Sequence, residues 1–321
     1  MPTGCLISIV IPVYNRPRAA MRAARSALMQ QLAAGDDIEV LLVDDGSTPP
    51  LTLDAEGRAL ERVRVVRLEP NSGPAAARNR GIAASSGDFI AFLDSDDVWE
   101  PGKLARQLAL FRQLEAEQHR SGQDRTGQDR ALLAIGCGFY YPNHLTGRLE
   151  SRLPIAGRDA LQFASGCWTA PGSVLLVHRS AFERIGLLDA RLRRLEDYDW
   201  LLRFGLAGGR LEIVDHIGAV IAPSGLARSG IVSQTIAQLA EKYAAGGLPT
   251  DVRRRFEAYL ALERAAAEFA DSRHVHGCFN LMRSLALKPR TTTALLPFWT
   301  RGQAIPAAVA ERYRELLGPV G

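Results

Sequence analysis

The chain has 321 residues, 47% hydrophobic and 23% charged, a globular balance that excludes wholesale disorder. Thirty-nine basic residues against 35 acidic ones give a net charge of +4, too even for a dedicated nucleic-acid binder. No window approaches the roughly eighteen uninterrupted apolar residues of a membrane span.

From the N-terminus, Leu6–Ile11 is a short apolar, β-branched run stopped at Pro12, and it reads as a buried strand. Arg18 to Leu32 has helical spacing and ends near Gly35. Ile38–Val43 is a second strand, broken by Asp44-Asp45-Gly46-Ser47, and Val63–Leu68 a third. Pro74 to Ser85 is an alanine-rich helix with proline in its first turn. Asp88–Leu93 is a fourth strand, stopped by Asp94-Ser95-Asp96-Asp97, and Pro101 to Gln118 a further amphipathic helix. Ser121 to Arg130 repeats Gly-Gln-Asp-Arg twice and reads as a solvated loop. Beyond it come a strand over Ala131–Tyr141, an apolar run over Ser173–Val177 and a short helix over His178–Ile185. An acidic helix over Leu195–Leu206 and a short strand over Leu211–Val214 follow. From residue 230 the pattern is helical: Ser233–Ala244, Asp251–Ala270, His274–Leu287 and Pro306–Leu317. Alternating apolar strands and helices predict a mostly parallel sheet covered on both faces. Ligands bind such sheets beyond the carboxyl ends of the strands. Three strand ends carry polar groups, at Pro12–Asn15, Asp44–Asp45 and Asp94–Asp97, and the fold would bring them to one rim.

Four well-separated cysteines (Cys5, Cys137, Cys167, Cys278) with no CxxC argue against a zinc ribbon or a disulfide framework. They fit a reducing cytoplasm, and Met1 to Pro12 lacks a secretory-signal pattern. Asp94-Ser95-Asp96 places two carboxylates at alternate positions past a strand, able to share a hard divalent cation such as magnesium or manganese. The structural alternative is an acidic turn in which Asp97 caps a following helix. Asp44-Asp45 can accept hydrogen bonds from a base or ribose, or can build a turn. Arg78, one turn into its helix, can reach phosphates or pair with an aspartate. Asp197 and Trp200 share a helix face, which suits a base beside a sugar platform. Acids at a helix N-terminus also suit the macrodipole, and Glu196 and Asp199 compete for the same role.

Taken in order, Val10-Ile-Pro-Val-Tyr-Asn15, Val43-Asp-Asp-Gly-Ser47, Asn71-Ser-Gly-Pro with Ala77-Arg-Asn-Arg-Gly81, Gly87 to Asp97, and Glu196-Asp-Tyr-Asp199 resemble the family-two glycosyltransferases of the GT-A fold. The resemblance covers roughly residues 6 to 230. It implies an inverting, metal-dependent transfer of a sugar from a nucleotide diphosphate donor, a UDP-sugar, to a glycan or lipid-linked acceptor in bacterial cell-surface polysaccharide assembly. It implies a catalytic domain over 1–229, with a nucleotide-sugar half (1–118) and an acceptor half (119–229), and a helical region over 230–321. Carried over by residue, Pro12 and Tyr14 frame the base, Asp45 accepts from its imide with Asp44 close by, and Arg78 lines the same pocket. Asp94 and Ser95 lie by the ribose or a metal-bound water, and Asp96 ligates Mn²⁺ or Mg²⁺ with Asp94 beside it. Asp197 is the general base, Glu196 its neighbour, and Arg228 reaches the phosphates from a glycine-bearing lid. Trp168, Gly172 and Ser173 border a sugar by analogy.

A haloacid-dehalogenase-type phosphatase would use Asp94 as nucleophile but needs a downstream lysine, and Lys103, Lys242 and Lys288 lie in helical contexts. A dinucleotide oxidoreductase would need a GxGxxG after the first strand, where Pro12-Val-Tyr-Asn15 stands instead. A non-catalytic sugar-nucleotide-binding protein of the same fold is the third alternative. In the tail, Arg253-Arg254-Arg255 and Phe298-Trp299 suit weak attachment at the inner face of a membrane, or a packed helical module with a solvated basic edge. The oligomeric state is not readable.

Overall fold

The computed structural model describes residues 4–53, 61–120, 132–142, 149–169, 171–222, 229–244, 247–288 and 299–301, together with 305, 307, 310, 311 and 313. The elements in chain order are β1 (Leu6–Val13), α1 (Pro17–Leu28), β2 (Asp37–Asp45), β3 (Val63–Leu68), α2 (Pro74–Ala84), β4 (Phe89–Phe92), β5 (Val98–Trp99) and α3 (Lys103–Arg120). They continue with β6 (Leu133–Pro142), β7 (Leu149–Pro154), α4 (Ala160–Phe163), α5 (Pro171–Val174), β8 (Leu176–His178), α6 (Ser180–Ile185), α7 (Glu196–Leu206) and β9 (Arg210–Val220). The last are α8 (Ser229–Ala244), α9 (Thr250–Ala270), α10 (His274–Leu287) and β10 (Trp299–Arg301).

One sheet runs β10-β7-β6-β8-β4-β1-β2-β3, and β9 joins it by pairing with both β6 and β5. Strands β3, β2, β1 and β4 are parallel, as expected where helices return the chain. The second half makes the sheet mixed: β8 enters antiparallel between β4 and β6, and β7 and β10 add antiparallel neighbours. The sequence hides these strands for identifiable reasons. Strand β5 is two residues long, and β7 (LESRLP) lacks an apolar run. Strand β9 extends well past Val214 because a bulge absorbs Asp215 and His216: Cys137 faces Val214, while Gly138 already faces Ile217. Helix α1 stops at Leu28 rather than Leu32 because Gln30 is needed elsewhere. Its amide donates to Glu100 O at 2.8 Å and accepts from Leu104 N at 3.2 Å.

Helices approach the sheet closely through small residues. In α1, Ala20, Ala23, Ala24 and Ala27 are all fully buried. In α2, a Cβ on Gly81 would lie 2.2 Å from Val10 Cγ1, so the helix sits directly on β1. Arg78, one turn earlier on the same buried face, is thereby held at the carboxyl ends of the strands. A second apolar cluster unites Tyr198 and Leu202 of α7 with Leu239 and Tyr243 of α8 and Phe256, Tyr259 and Leu260 of α9. The helix carrying Glu196 and Asp197 is therefore clamped between the sheet and the C-terminal helices, and the cluster continues across position 230. Among the described residues, no helix is long and apolar enough to cross a membrane.

Candidate functional site

The loops after β1 and β2 are tied together. Asn15 N donates to Ser47 Oγ at 2.9 Å, and Thr48 N donates to Asn15 Oδ1 at 2.9 Å. Tyr14 stands half exposed at this rim, and Pro12 lies partly buried beneath it. Asp44 does not reach the cleft, which corrects its expected place by a nucleotide. It is fully buried, and its carboxylate accepts from Ser47 N and Leu51 N, each at 2.9 Å, and from Arg67. Burial opposes its charge, but these donors outweigh it and hold the carboxyl below the usual aspartate range. Asp45 is also buried and accepts from Ser72 N and Gly73 N at 2.8 Å and from Asn71 Nδ2 at 3.0 Å. It shapes the turn that opens α2, where Gly73 has φ 93° and a Cβ would lie 2.9 Å from Arg193 Nη1.

Arg78 joins the two acidic motifs. Its Nη2 donates to Asp94 Oδ1 at 2.7 Å and its Nη1 to Glu196 Oε1 at 2.6 Å, while its guanidinium lies 5.7 Å from the Phe92 ring centroid. Burial disfavours its charge, but Asp94, Glu196 and Asp197 reverse that and hold the proton more tightly than usual. Asp94 is partly exposed, and Gly172 lies against it: a Cβ there would sit 2.6–2.8 Å from the carboxylate. Ser95 is buried. Asp96 is about one-third exposed and forms an ion pair with Arg16 from the β1 loop. Arg16 is a functional candidate that the sequence reading missed, although its position two residues past Tyr14 was the available signal.

Asp97 is not a helix cap, because β5 follows it and α3 starts only at Lys103. Its carboxyl accepts from Ser173 Oγ and from Ala222 N at 2.7 Å. Burial first, then the neighbouring Asp94, push it well above the ordinary range. Ser173 Oγ also accepts from Asp94 N at 3.1 Å, so Ser173 supports the DxD turn from below.

Asp197 opens α7 and is partly buried, with Oδ1 accepting from Tyr198 N at 2.6 Å. Burial, and then Glu196 beside it, push its pKa up to about 7, against the pull of Arg78. With Arg78, Phe92, Gly172, Leu188 and Trp200 it lines a small apolar recess. Asp199 is not a rival base. It is fully buried and accepts from Arg203 Nε at 3.0 Å, Lys242 Nζ at 2.9 Å and Tyr243 OH at 2.9 Å, tying α7 to α8.

Neither the expected platform, Trp200, nor Trp168 has an open ring face. Trp200 is buried, its Nε1 donating to Gly186 O at 3.0 Å. Trp168 is buried against Phe163, its Nε1 donating to Ile155 O at 2.9 Å. Arg228 and Phe298 lie outside the described residues. Lys103, which a phosphatase would need beside Asp94, is fully buried, with Nζ donating to Gln107 Oε1 at 2.8 Å and 4.0 Å from the Trp99 ring.

The family model described as "Glycosyl transferase family 2" matches residues 8–185. The succinoglycan biosynthesis protein ExoW of Rhizobium meliloti is 29% identical over 221 residues, 67% of this chain and 68% of that protein. For other curated relatives the matched share of their own length runs from 17% to 92%. Among solved structures, S. aureus TarS 1-349 in complex with UDP-GlcNAc superposes with a TM-score of 0.54 at 16% identity, covering 88% of this chain and 83% of that one. The mannosyltransferase PcManGT from Pyrobaculum calidifontis, in complex with GDP-Man and Mn²⁺, gives 0.52 at 17%, covering 92% and 79%. At these identities the likeness to solved structures is one of fold.

Proposed function

This chain belongs to glycosyl transferase family 2 and is a glycosyltransferase of the GT-A fold, and from that membership we propose that it moves a sugar from a nucleotide diphosphate donor, a UDP-sugar, with inversion. The acceptor is a glycan or lipid-linked saccharide, and the setting is cytoplasmic assembly of a cell-surface polysaccharide; the name of ExoW records succinoglycan biosynthesis for that relative.

The observation that carries this reading is the bridge from Arg78 to Asp94 on one side and Glu196 on the other, with Asp197 held beside it near neutrality. It joins the end of β4 to the start of α7, the two segments that must face each other across a donor.

The rim's donors suit a hard cation. At the rim the carboxyl groups of Asp94, Asp96, Glu196 and Asp197 outnumber the guanidinium groups of Arg16 and Arg78. Among the described residues no group of three or more His, Cys, Asp or Glu side chains forms a cation cage. One or two carboxylates, completed by substrate phosphates and water, is the mode of Mg²⁺ and Mn²⁺ at nucleotide sites. Asp96, with Asp94 beside it, would hold such an ion. When bound, the ion would stabilise the charge gathering on the diphosphate leaving group.

The chain's own residues do the rest. Tyr14 and Pro12 frame the base from the tied β1 and β2 loops, and Asp44 and Asp45 hold those loops in shape. Asp197 takes the proton of the acceptor hydroxyl as that oxygen bonds to the anomeric carbon, and the diphosphate departs from the opposite face with the electron pair of the broken bond. Arg78 holds Glu196 and Asp94 in place on either side of it, and burial with the adjacent Glu196 keeps Asp197 basic enough to accept. Thermal shift with a UDP-sugar and manganese tests the donor half. The parent melts at higher temperature with both present and loses the gain with chelator. Asp96→Ala shows no manganese-dependent gain, and an unchanged gain there would remove Asp96 from the site.

A further inference from the structure

Helix α10 packs with its polar face inward. Gly277, Asn280 and Ser284 are buried, Ser284 Oγ donates to Ala258 O of α9 at 2.7 Å, and a Cβ on Gly277 would meet the Phe269 ring at 2.8 Å. The apolar side chains face outward: Val275 is 81% exposed, Phe279 69% and Met282 65%. Their spacing of four and three residues aligns them in one stripe along the helix. A helix of a water-borne protein turns the other way, and a contiguous apolar face of this kind marks a contact surface.

The charge beside the stripe indicates its partner. From Ser272 to Ala310 the sequence contains no Asp or Glu, while Arg273, Arg283 and Lys288 fall at or within α10. Arg273 is paired with Glu268 at 3.0 Å yet remains half exposed. Arg283, exposed next to Met282, also lines a cavity of about 170 Å³ between α8, α9 and α10. Arg253, Arg264, Phe256, Leu260 and Glu257 line it as well. An apolar stripe on a helix that carries arginine and no Asp or Glu of its own fits the interfacial region of an anionic bilayer, apolar side chains among the acyl boundary and guanidinium groups on the phosphates.

We propose that the outward face of α10, with Val275, Phe279, Met282 and Arg283, docks this enzyme on an anionic lipid surface. The proposal stands independently of the donor and of the base. It places the lipid contact on α10 and not on α9, whose Phe256, Tyr259 and Leu260 are buried in the helical module.

The test uses the full chain and vesicles of phosphatidylcholine, with or without about one-third phosphatidylglycerol, at low and high salt. The parent floats with the anionic vesicles at low salt, and binding weakens as salt screens the lipid charge. Phe279→Ser with Met282→Ser abolishes flotation without lowering the melting temperature, because both side chains already face water. Arg283→Glu weakens binding by at least roughly fivefold, the share of one basic residue at an anionic surface. A polarity-sensitive dye on Cys278, which is exposed on the same helix, shifts to the blue with anionic vesicles alone. That thiol labels selectively, because burial raises Cys5 to about 11 and lifts Cys137 and Cys167 as well. Three outcomes overturn the proposal: no flotation at low salt; a concentration-dependent dimer that Phe279→Ser dissolves, which would make a second copy the occupant; or a lowered melting temperature in that variant, which would place the cover within the chain.

Discussion

Arg78 is a buried cation among carboxyl groups, and their mutual positions fix the charge of the cleft. Desolvation alone would weaken its hold on the proton, yet Asp94, Glu196 and Asp197 strengthen it. Asp197 pays the electrostatic difference, resting near pKa 7 through burial and the adjacent Glu196. A base must be deprotonated to work, so transfer should rise with pH through about 7 and level off above it. A pH–rate profile flat from 5 to 8 (roughly the span in which such a group titrates) would contradict that. The same raised pKa bears on stability. The folded state keeps a proton that an unfolded aspartate releases near about 3.9, so this group's contribution is fully present below about 4 and is lost as pH rises through 7. Asp44 differs in kind. Its carboxylate satisfies two backbone amides and Arg67 inside the loop, so Asp44→Ala should cost roughly 2–3 kcal/mol of stability. Chemical denaturation measures this, and loss of donor affinity with unchanged stability would restore Asp44 to the binding surface.

At the scale of elements, α7 carries two acids with different work, and burial separates them. Asp197 faces the recess, while Asp199 is held by Arg203, Lys242 and Tyr243 at the joint with α8. Asp199→Ala removes the buried acceptor shared by Arg203, Lys242 and Tyr243, although Lys242 keeps Asp189 at 3.0 Å, and should destabilise by roughly 2–3 kcal/mol, lowering the melting temperature more than Asp197→Asn. Equal melting temperatures would refute that division. The sequence could place both on one helix but could not tell them apart, because two of the partners of Asp199, Lys242 and Tyr243, come from a helix more than forty positions away. The parallel half of the sheet was legible because β1, β2 and β4 are apolar runs ending in polar turns. The antiparallel half was not. Strands β5 and β8 are too short to show a period, and the bulge in β9 interrupts its run. Trp200 looked like a sugar platform, and Trp168 was expected beside a sugar by analogy, because residue type carries no information on which way a ring is packed.

Across the whole molecule, the arrangement is a sheet whose strand ends carry Tyr14, Asp94 and Asp96 and a helix, α7, that brings Glu196 and Asp197 to meet them. The C-terminal helices bury the back of α7 through Tyr198, Leu202, Tyr243 and Phe256. The position of Asp197 therefore depends on residues beyond 230 as much as on the sheet, and the outward face of α10 lies on that same module. Both halves of the proposed chemistry meet at the Arg78 bridge, and one variant separates them. Titrating a UDP-sugar with manganese into Asp197→Asn, and following transfer in the same preparation, gives binding and turnover together. Donor affinity within about threefold of the parent, with turnover lower by roughly 10²–10⁴-fold, is the predicted result; turnover at the parent rate would contradict it.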